Sequence, residues 1–177
     1  MLTLVIGGAA SGKSAYAEHL AVQSGGPRYY LATMQVWDAE SAARVAKHRA
    51  MRAQKQFATV ECPQNLHLVR LPQQGTALLE DLGNLAANEL YRPDSSCLPP
   101  KQAAEKMLAG IEAIAAQCNH LIIVSNEVFS GGADYAGETD LYLQALAMVN
   151  NAVAAKADAV CCVVCGLPVY YKGGERP

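Results

Sequence analysis

The first fourteen residues constrain the fold of this chain more than any other part of it. Residues 2–6 are mostly apolar and predict a short strand, and a helical stretch is expected from residue 13 to about 23. Between them, G-G-A-A-S-G-K-S at 7–14 fits the pattern G-x-x-x-x-G-K-[ST]. This pattern between a strand and a helix is typical of a phosphate-binding loop, so the N-terminal segment predicts a nucleotide-binding α/β protein.

The chemistry of such a loop depends on each type of residue in it. Glycines let the backbone approach phosphate oxygens, and successive N–H groups supply partial positive charge. Lys13 is expected to reach the β- and γ-phosphates of a nucleotide, and the Ser14 hydroxyl to bind Mg²⁺. The residues predicted to contact phosphate are Gly7, Gly8, Ala9, Ala10, Ser11, Gly12, Lys13 and Ser14.

A magnesium ion at this loop also needs an acidic group at the end of a neighbouring strand. Glu80 and Asp81 follow one apolar run, and Glu127 follows another, so either place is a candidate. For Asp81, a second interpretation is the N-cap of a helix that begins at residue 82.

Strand-like segments alternate with longer helical patterns along the rest of the chain. Strands are expected at 2–6, 28–33, 57–61, 76–79, 121–125, 159–165 and, more briefly, 169–171; helices are expected at 13–23, 38–54, 82–91, 101–118 and 138–156. This alternation predicts βαβ units and a mostly parallel sheet. With 177 residues, we expect a single domain, 1–177, of the P-loop NTPase-like (RecA-like) α/β class.

Composition excludes several classes of protein. Half of the residues are hydrophobic (51%), which excludes intrinsic disorder, and the net charge of −2 argues against a general affinity for nucleic acid. The apolar runs are too short to span a bilayer, and the N-terminus does not read as a secretory signal. Six cysteines without such a signal favour reduced thiols and a cytoplasmic location. Cys161, Cys162 and Cys165 are expected to be buried thiols rather than a zinc or redox site.

A basic segment follows the second predicted strand. On a helix from residue 38, Arg44, His48 and Arg52 recur at every fourth position and share one face. Neighbouring cations lower the pKa of an imidazole, and a neutral imidazole is a nucleophile. On spacing alone, an ordinary solvated face that contains one histidine is the favoured interpretation.

These pieces together resemble the bifunctional adenosylcobinamide kinase / adenosylcobinamide-phosphate guanylyltransferase family of cobalamin biosynthesis. The matching segments run in order along nearly the whole chain. They are the loop 7–14, L-A-T at 31–33, D-A-E at 38–40, R-V-A-K-H-R at 44–49 with Arg52, T-V-E-C-P at 59–63, L-L-E at 78–80 with Asn88, V-S-N-E-V at 124–128, Asn150, and G-L-P at 166–168.

The resemblance implies a specific two-step chemistry. Adenosylcobinamide is phosphorylated from ATP or GTP, and His48 then attacks the α-phosphorus of GTP and passes GMP to the corrinoid phosphate. The implied nucleotide contacts are the phosphate loop, Thr33, Met34, Gln35, Arg49, Ala50, Met51, Arg52, Glu61 and Glu80; the implied Mg²⁺ ligands are Ser14 and Glu80. A homotrimer is also implied, with no nucleic acid and no membrane insertion.

The chain departs from the family pattern mainly in its C-terminal third. Ala10 replaces an arginine, and the segments 129–134 and 140–147 differ from the family's G-I-V-P-like and R-x-F-R-D-x-x-G runs. Alternative functions are therefore a non-catalytic or guanylyltransferase-only GTP-binding paralogue, and another P-loop small-molecule kinase in which His48 is idle.

Overall fold

The computed structural model describes residues 1–35, 55–92, 96–130 and 137–174. Its strands are β1 (Leu2–Gly7), β2 (Arg28–Ala32), β3 (Phe57–Glu61), β4 (Thr76–Glu80), β5 (His120–Asn126), β6 (Ala159–Val164) and β7 (Leu167–Lys172). Its helices are α1 (Lys13–Gln23), α2 (Leu82–Leu90), α3 (Pro100–Ala115) and α4 (Glu138–Lys156), with a 3₁₀ turn at Leu66–Leu68. The predicted helix at 38–54 lies outside the described residues.

The strands form one sheet in the order β3-β2-β4-β5-β1-β6-β7. Every pair of neighbours is parallel except β6 and β7, which are antiparallel. This arrangement confirms the prediction of a mostly parallel α/β sheet. Because β1 to β6 run in one direction, their carboxyl ends meet at one edge of the sheet, where α/β proteins of this kind bind their ligands.

Helices cover both faces of the sheet. Successive residues of a strand point to opposite faces, so Leu79 packs with α2, α3 and α4 while Leu78 packs with α1. Both leucines are fully buried. Two-sided burial explains why the central strands are continuous apolar runs rather than alternating ones.

Several boundaries differ from the sequence-based prediction by a few residues. The second strand ends at Ala32, because the next residue, Thr33, donates hydrogen bonds from its hydroxyl and its N–H to the Glu80 carbonyl at the end of β4. The third described helix begins at Pro100, whose missing N–H costs nothing in a first turn, and ends at Ala115 instead of 118. Asp81 caps α2, since its Oδ1 accepts a hydrogen bond from the Asn84 N–H at 2.7 Å.

Candidate active site

The phosphate loop connects the carboxyl end of β1 to the amino end of α1. The Lys13 side chain is buried and folds back over the loop, where its Nζ donates a hydrogen bond to the Gly8 carbonyl at 3.2 Å. A buried lysine normally has a polar partner, and the Gly8 carbonyl is that partner here. The positive charge of Lys13 is therefore held inside the loop. A phosphate group in the loop would meet that charge and the N-terminus of α1 together.

The turn between β6 and β7 packs against this loop and stabilises it. The Gly166 N–H donates a hydrogen bond to the Ser11 carbonyl at 2.8 Å. Gly12 has a φ of 91°, and a Cβ there would lie 3.1 Å from the Gly166 Cα. A glycine is therefore needed at position 12 for its backbone conformation and for the close approach of the turn.

Ser14 and Glu80 are in contact at the carboxyl edge of the sheet, beside the phosphate loop. The Ser14 hydroxyl donates a hydrogen bond to Glu80 Oε1 at 2.5 Å. Glu80 Oε2 is buried and has no hydrogen-bond partner among the described residues. Burial raises the pKa of the Glu80 carboxyl to about 7, although the hydrogen bond from Ser14 lowers it.

This pair of residues fits a magnesium ion. Mg²⁺ prefers carboxylate and hydroxyl oxygens, and it commonly reaches a phosphate loop through one or two such ligands. A buried carboxylate oxygen without a partner is costly, and a cation would remove that cost. The other two candidate acids are engaged elsewhere: Asp81 caps α2, and Glu127 Oε1 accepts the Phe129 N–H at 3.1 Å.

Thr33, at the end of β2, links the neighbouring strand ends. Its N–H donates to the Glu80 carbonyl at 3.0 Å, and its Oγ1 accepts the Asp81 N–H at 2.7 Å. Met34 and Gln35, which follow it, are half-buried. The Thr33 carbonyl accepts a hydrogen bond from Asn88 Nδ2 at 2.8 Å, so α2 also holds this segment.

Glu61 lies on the other side of β2 from Glu80. Ala32 pairs in register with Glu61 of β3 and with Glu80 of β4. The Glu61 side chain is exposed. The structure thus brings Thr33, Glu61 and Glu80 to the same edge as the phosphate loop.

The predicted nucleophile and its neighbours have no structural description. His48, Arg49, Ala50, Met51 and Arg52 lie outside the described residues. Lys55, at the end of the same basic segment, pairs with Glu18 of α1, and its carbonyl accepts a hydrogen bond from Arg28 Nη1 at 2.7 Å. Because Lys55 precedes the amino end of β3, it lies towards the opposite edge of the sheet from the phosphate loop.

Sequence reasoning missed a second group of polar side chains at this edge. A Cβ at Gly83 would lie 2.5 Å from Asn126 Nδ2, 2.9 Å from the Tyr142 hydroxyl and 3.2 Å from Asp81 Oδ1. These three groups come from the β4–α2 junction, β5 and α4. Asp81 and Asn126 each had a usable signal, because a polar residue at the carboxyl end of a predicted parallel strand belongs to the ligand edge, whereas Tyr142 had none.

The three cysteines at positions 161, 162 and 165 differ in their exposure. Cys161 is buried, as predicted, and burial raises the pKa of its thiol to about 11. Cys165 is exposed in the β6–β7 turn, so its predicted burial is wrong. No cluster of three or more potential metal-binding His, Cys, Asp or Glu side chains occurs in the described ranges. None of the helices described here has the length and apolarity to cross a bilayer.

Comparison with known proteins agrees with this geometry. A family model described as cobinamide kinase / cobinamide phosphate guanyltransferase matches residues 3–171. The chain belongs to this family. It is therefore an enzyme of cobalamin biosynthesis whose family combines kinase and guanylyltransferase activities.

Individual relatives match along their whole length. The bifunctional adenosylcobalamin biosynthesis protein CobP of Pseudomonas aeruginosa is 33% identical over 175 residues, which cover 98% of each chain. The proteins named CobU of Escherichia coli and Salmonella typhimurium are 33% and 31% identical, and the match covers 97% of this chain and 100% of each of theirs. Membership in the cobinamide kinase family thus extends across the divergent C-terminal third as well.

Proposed function

We propose that this member of the family phosphorylates adenosylcobinamide with ATP or GTP and then transfers GMP from GTP to adenosylcobinamide phosphate. The product is adenosylcobinamide-GDP, and the second reaction passes through a covalent His48–GMP intermediate. The observation that carries the proposal is the contact of Ser14 with Glu80 beside the phosphate loop, in a chain that the family model matches from residue 3 to 171.

The phosphoryl-transfer half of the proposal is supported by the loop itself. The backbone N–H groups of the loop and Lys13 would hold the β- and γ-phosphates, and Ser14 with Glu80 would hold Mg²⁺. When bound there, Mg²⁺ would supply charge that stabilises the departing nucleoside diphosphate. The protein needs no covalent chemistry for this step, because positioning and electrostatic stabilisation account for most of the catalysis of phosphoryl transfer.

The guanylyl-transfer half rests on His48 and on the resemblance. A ring nitrogen of His48 would form a bond to the α-phosphorus of GTP while the bond to the bridging oxygen of the β-phosphate breaks and pyrophosphate leaves. A phosphate oxygen of the phosphorylated corrinoid would then attack the same phosphorus and release the histidine. The proposed contacts of Thr33, Met34, Gln35, Arg49, Ala50, Met51, Arg52 and Glu61 with the nucleotide belong to this half as well.

The decisive experiment is incubation with GTP labelled at the α- or the γ-phosphorus. Wild-type protein should acquire acid-labile, base-stable label only from the α-labelled GTP. His48→Asn should acquire none and should keep its affinity for GTP. His19→Asn is the matched control, since His19 is exposed on α1, and it should label like wild type. Equal labelling of the His48 variant would contradict the covalent intermediate.

A parallel incubation with γ-labelled ATP and adenosylcobinamide, added to this experiment, separates the alternative functions. A small-molecule kinase with an idle His48 would show phosphorylation of the corrinoid from γ-labelled ATP without any protein adduct. A GTP-binding paralogue without catalysis would show neither.

The proposed enzyme is a homo-oligomer, by resemblance a trimer, that acts in the cytoplasm, where GTP and ATP are made. Strand β7 supports self-association, because Leu167, Val169 and Tyr171 share one face of this edge strand and are 70%, 50% and 76% exposed. An apolar edge strand of this kind is normally covered in the native assembly. Sedimentation of wild type and of Leu167→Lys would show whether β7 takes part in the assembly.

A further inference from the structure

The polar cluster around Gly83, formed by Asp81, Asn126 and Tyr142, has no role in the chemistry described above. Its members come from three separate elements and converge on a point where glycine leaves room for them. The Asp81 carboxylate accepts hydrogen bonds from the Asn126 side chain and from the Gly83 N–H, so the cluster is partly satisfied from within. Asp81, Asn126 and Tyr142 are all half-buried, so part of each side chain remains accessible to a ligand.

Helix capping accounts for only part of the cluster. Asp81 Oδ1 accepts the Asn84 N–H, as an N-cap does. An ionised carboxylate has two oxygens and about four acceptor positions. The Asn84 N–H, the Gly83 N–H and the Asn126 side chain occupy three of those of Asp81, so about one remains. Capping requires nothing from Tyr142, which is 61 residues further along the chain.

The cluster lies at the same edge of the sheet as the phosphate loop. Asn126, the last residue of β5, pairs in register with Gly7, the first residue of the loop. Asp81 directly follows Glu80, whose Oε1 accepts a hydrogen bond from Ser14. The cluster is therefore beside the place where the phosphates of a nucleotide would bind.

We propose that Asp81, Asn126 and Tyr142 form the site that binds the alcohol group of the phosphoryl acceptor. In this site the Asp81 carboxylate accepts a hydrogen bond from the acceptor hydroxyl, and the Asn126 amide and the Tyr142 hydroxyl hold the polar groups next to it. This inference rests on the kinase half of the proposed function and assigns the residues that select and orient its acceptor.

The reaction proposed at this site is an ordinary phosphoryl transfer. The acceptor oxygen forms a bond to the γ-phosphorus as the bond between that phosphorus and the bridging oxygen of the β-phosphate breaks. Nucleoside diphosphate leaves, and the hydroxyl proton, held by Asp81 during the attack, is released to water with the product. Asp81 contributes orientation, which can be worth about 100-fold in rate when an attacking group is misplaced by about 1 Å.

Two substitutions test the site without removing its structural roles. Asp81→Asn retains an acceptor oxygen for the Asn84 N–H, because asparagine caps helices about as well as aspartate. Tyr142→Phe removes only the hydroxyl. The control is Glu105→Gln, which removes a carboxylate from the exposed surface of α3.

The measurement is steady-state phosphorylation of adenosylcobinamide by MgATP, together with the Kd for MgATP and the thermal midpoint Tm. We expect Asp81→Asn to lower kcat by about 100-fold. We expect Tyr142→Phe to raise the KM for adenosylcobinamide by about tenfold, the usual consequence of one lost hydrogen bond to a bound group. The KM and Kd for MgATP should stay within twofold of wild type in both variants, and the control should match wild type throughout.

The possible failures are distinguishable. If wild type does not phosphorylate adenosylcobinamide, the proposed function fails and this inference fails with it. If wild type is active and both variants keep their kcat and acceptor KM, the acceptor site is overturned and the proposed function stands. Parallel loss of MgATP affinity or of Tm in both variants would also overturn it, because that result indicates a structural role; if only Asp81→Asn fails to fold, Tyr142→Phe decides.

Discussion

The Ser14 hydroxyl donates a 2.5 Å hydrogen bond to Glu80 Oε1, across 66 positions of sequence. The other oxygen of the same carboxylate is buried without a partner in the described structure. Glu80 Oε2 therefore lowers the stability of the protein without nucleotide, and it lies where a nucleotide-bound cation would bind. Both the free energy of unfolding and the affinity for nucleotide should depend on this atom.

Glu80→Gln should change how stability depends on pH. Burial raises the pKa of Glu80 from 4.5 to about 7, so the native state holds this proton more tightly than the unfolded chain does. Its contribution to the free energy of unfolding is thus fully present below about pH 4.5 and is lost as pH rises through about 7. Glutamine does not titrate, and the variant should gain up to about 3 kcal/mol relative to wild type between pH 4.5 and pH 8.

Urea unfolding without Mg²⁺ or nucleotide at the two pH values measures this change. Glu105→Gln, an exposed carboxylate on α3, should follow wild type at both. The same stability difference between Glu80→Gln and wild type at pH 4.5 and pH 8 would show that Glu80 titrates normally in the folded protein.

Lys13→Ala should abolish tight nucleotide binding. The Lys13 side chain is buried and bonded to the Gly8 carbonyl inside the loop, so its charge is held where phosphates bind. Loss of one charge-assisted hydrogen bond costs about 1.5–3 kcal/mol, which corresponds to a rise in Kd of about 10- to 160-fold. Isothermal titration with MgGTP measures it, and Lys101→Ala, 80% exposed at its side chain on α3, should bind like wild type. Unchanged affinity in folded Lys13→Ala would contradict the phosphate-loop assignment.

Gly12→Ala should lower stability and nucleotide affinity together. Its φ of 91° costs an alanine about 1–2 kcal/mol, and its Cβ would lie 3.1 Å from the Gly166 Cα. Gly25→Ala is the matched control, because Gly25 also has a positive φ, of 69°, but a Cβ there would meet nothing within 4 Å. Thermal unfolding should show a larger loss for position 12. Equal losses of Tm in the two variants would mean that contact with the β6–β7 turn does not matter.

Asn88→Ala should loosen the segment that follows β2. Asn88 Nδ2 donates hydrogen bonds to the Thr33 carbonyl at 2.8 Å and to the Pro63 carbonyl at 3.0 Å. Removal of both takes a hydrogen bond from the carbonyl of the fully buried Thr33 and from that of the half-buried Pro63, at a cost of about 1–3 kcal/mol. Hydrogen exchange of the Met34 and Gln35 amides should also become faster. Asn84→Ala on the same helix is the control, since Asn84 contributes only its backbone N–H to the Asp81 cap. A similar effect of the two variants would show that the side-chain hydrogen bonds of Asn88 do not hold this segment.

The phosphate loop was predictable because all of its parts are contiguous. Residues 7–14 carry the glycines, the lysine and the serine in one stretch, and the flanking strand and helix follow from local periodicity. The alternation of strands and helices likewise led to the parallel sheet, since parallel neighbours need a crossover between them. The errors fell at element ends, as at Thr33 and Pro100, where contacts with distant residues decide the boundary.

Pairings between distant residues could not be derived in the same way. From the residues alone, Glu80, Asp81 and Glu127 were all candidates for the partner of Ser14, and only the resemblance favoured Glu80. The contact between Ser14 and Glu80 itself is visible only in the tertiary structure, in which Asp81 and Glu127 accept other hydrogen bonds. Lys55 lies at the end of the basic segment in sequence, yet it pairs with Glu18 towards the opposite edge of the sheet.

The sequence by itself determined the α/β class, the site of the phosphate loop and, through resemblance, the family. These depend on local pattern, in which each residue's neighbours in the chain carry the information. The tertiary structure alone decided that Glu80 faces Ser14, that Gly166 supports Gly12, and that Asp81, Asn126 and Tyr142 converge on Gly83. The physical reason is that strand order and the packing of helices on the sheet set which side chains meet at its carboxyl edge, and many long-range contacts fix that order together.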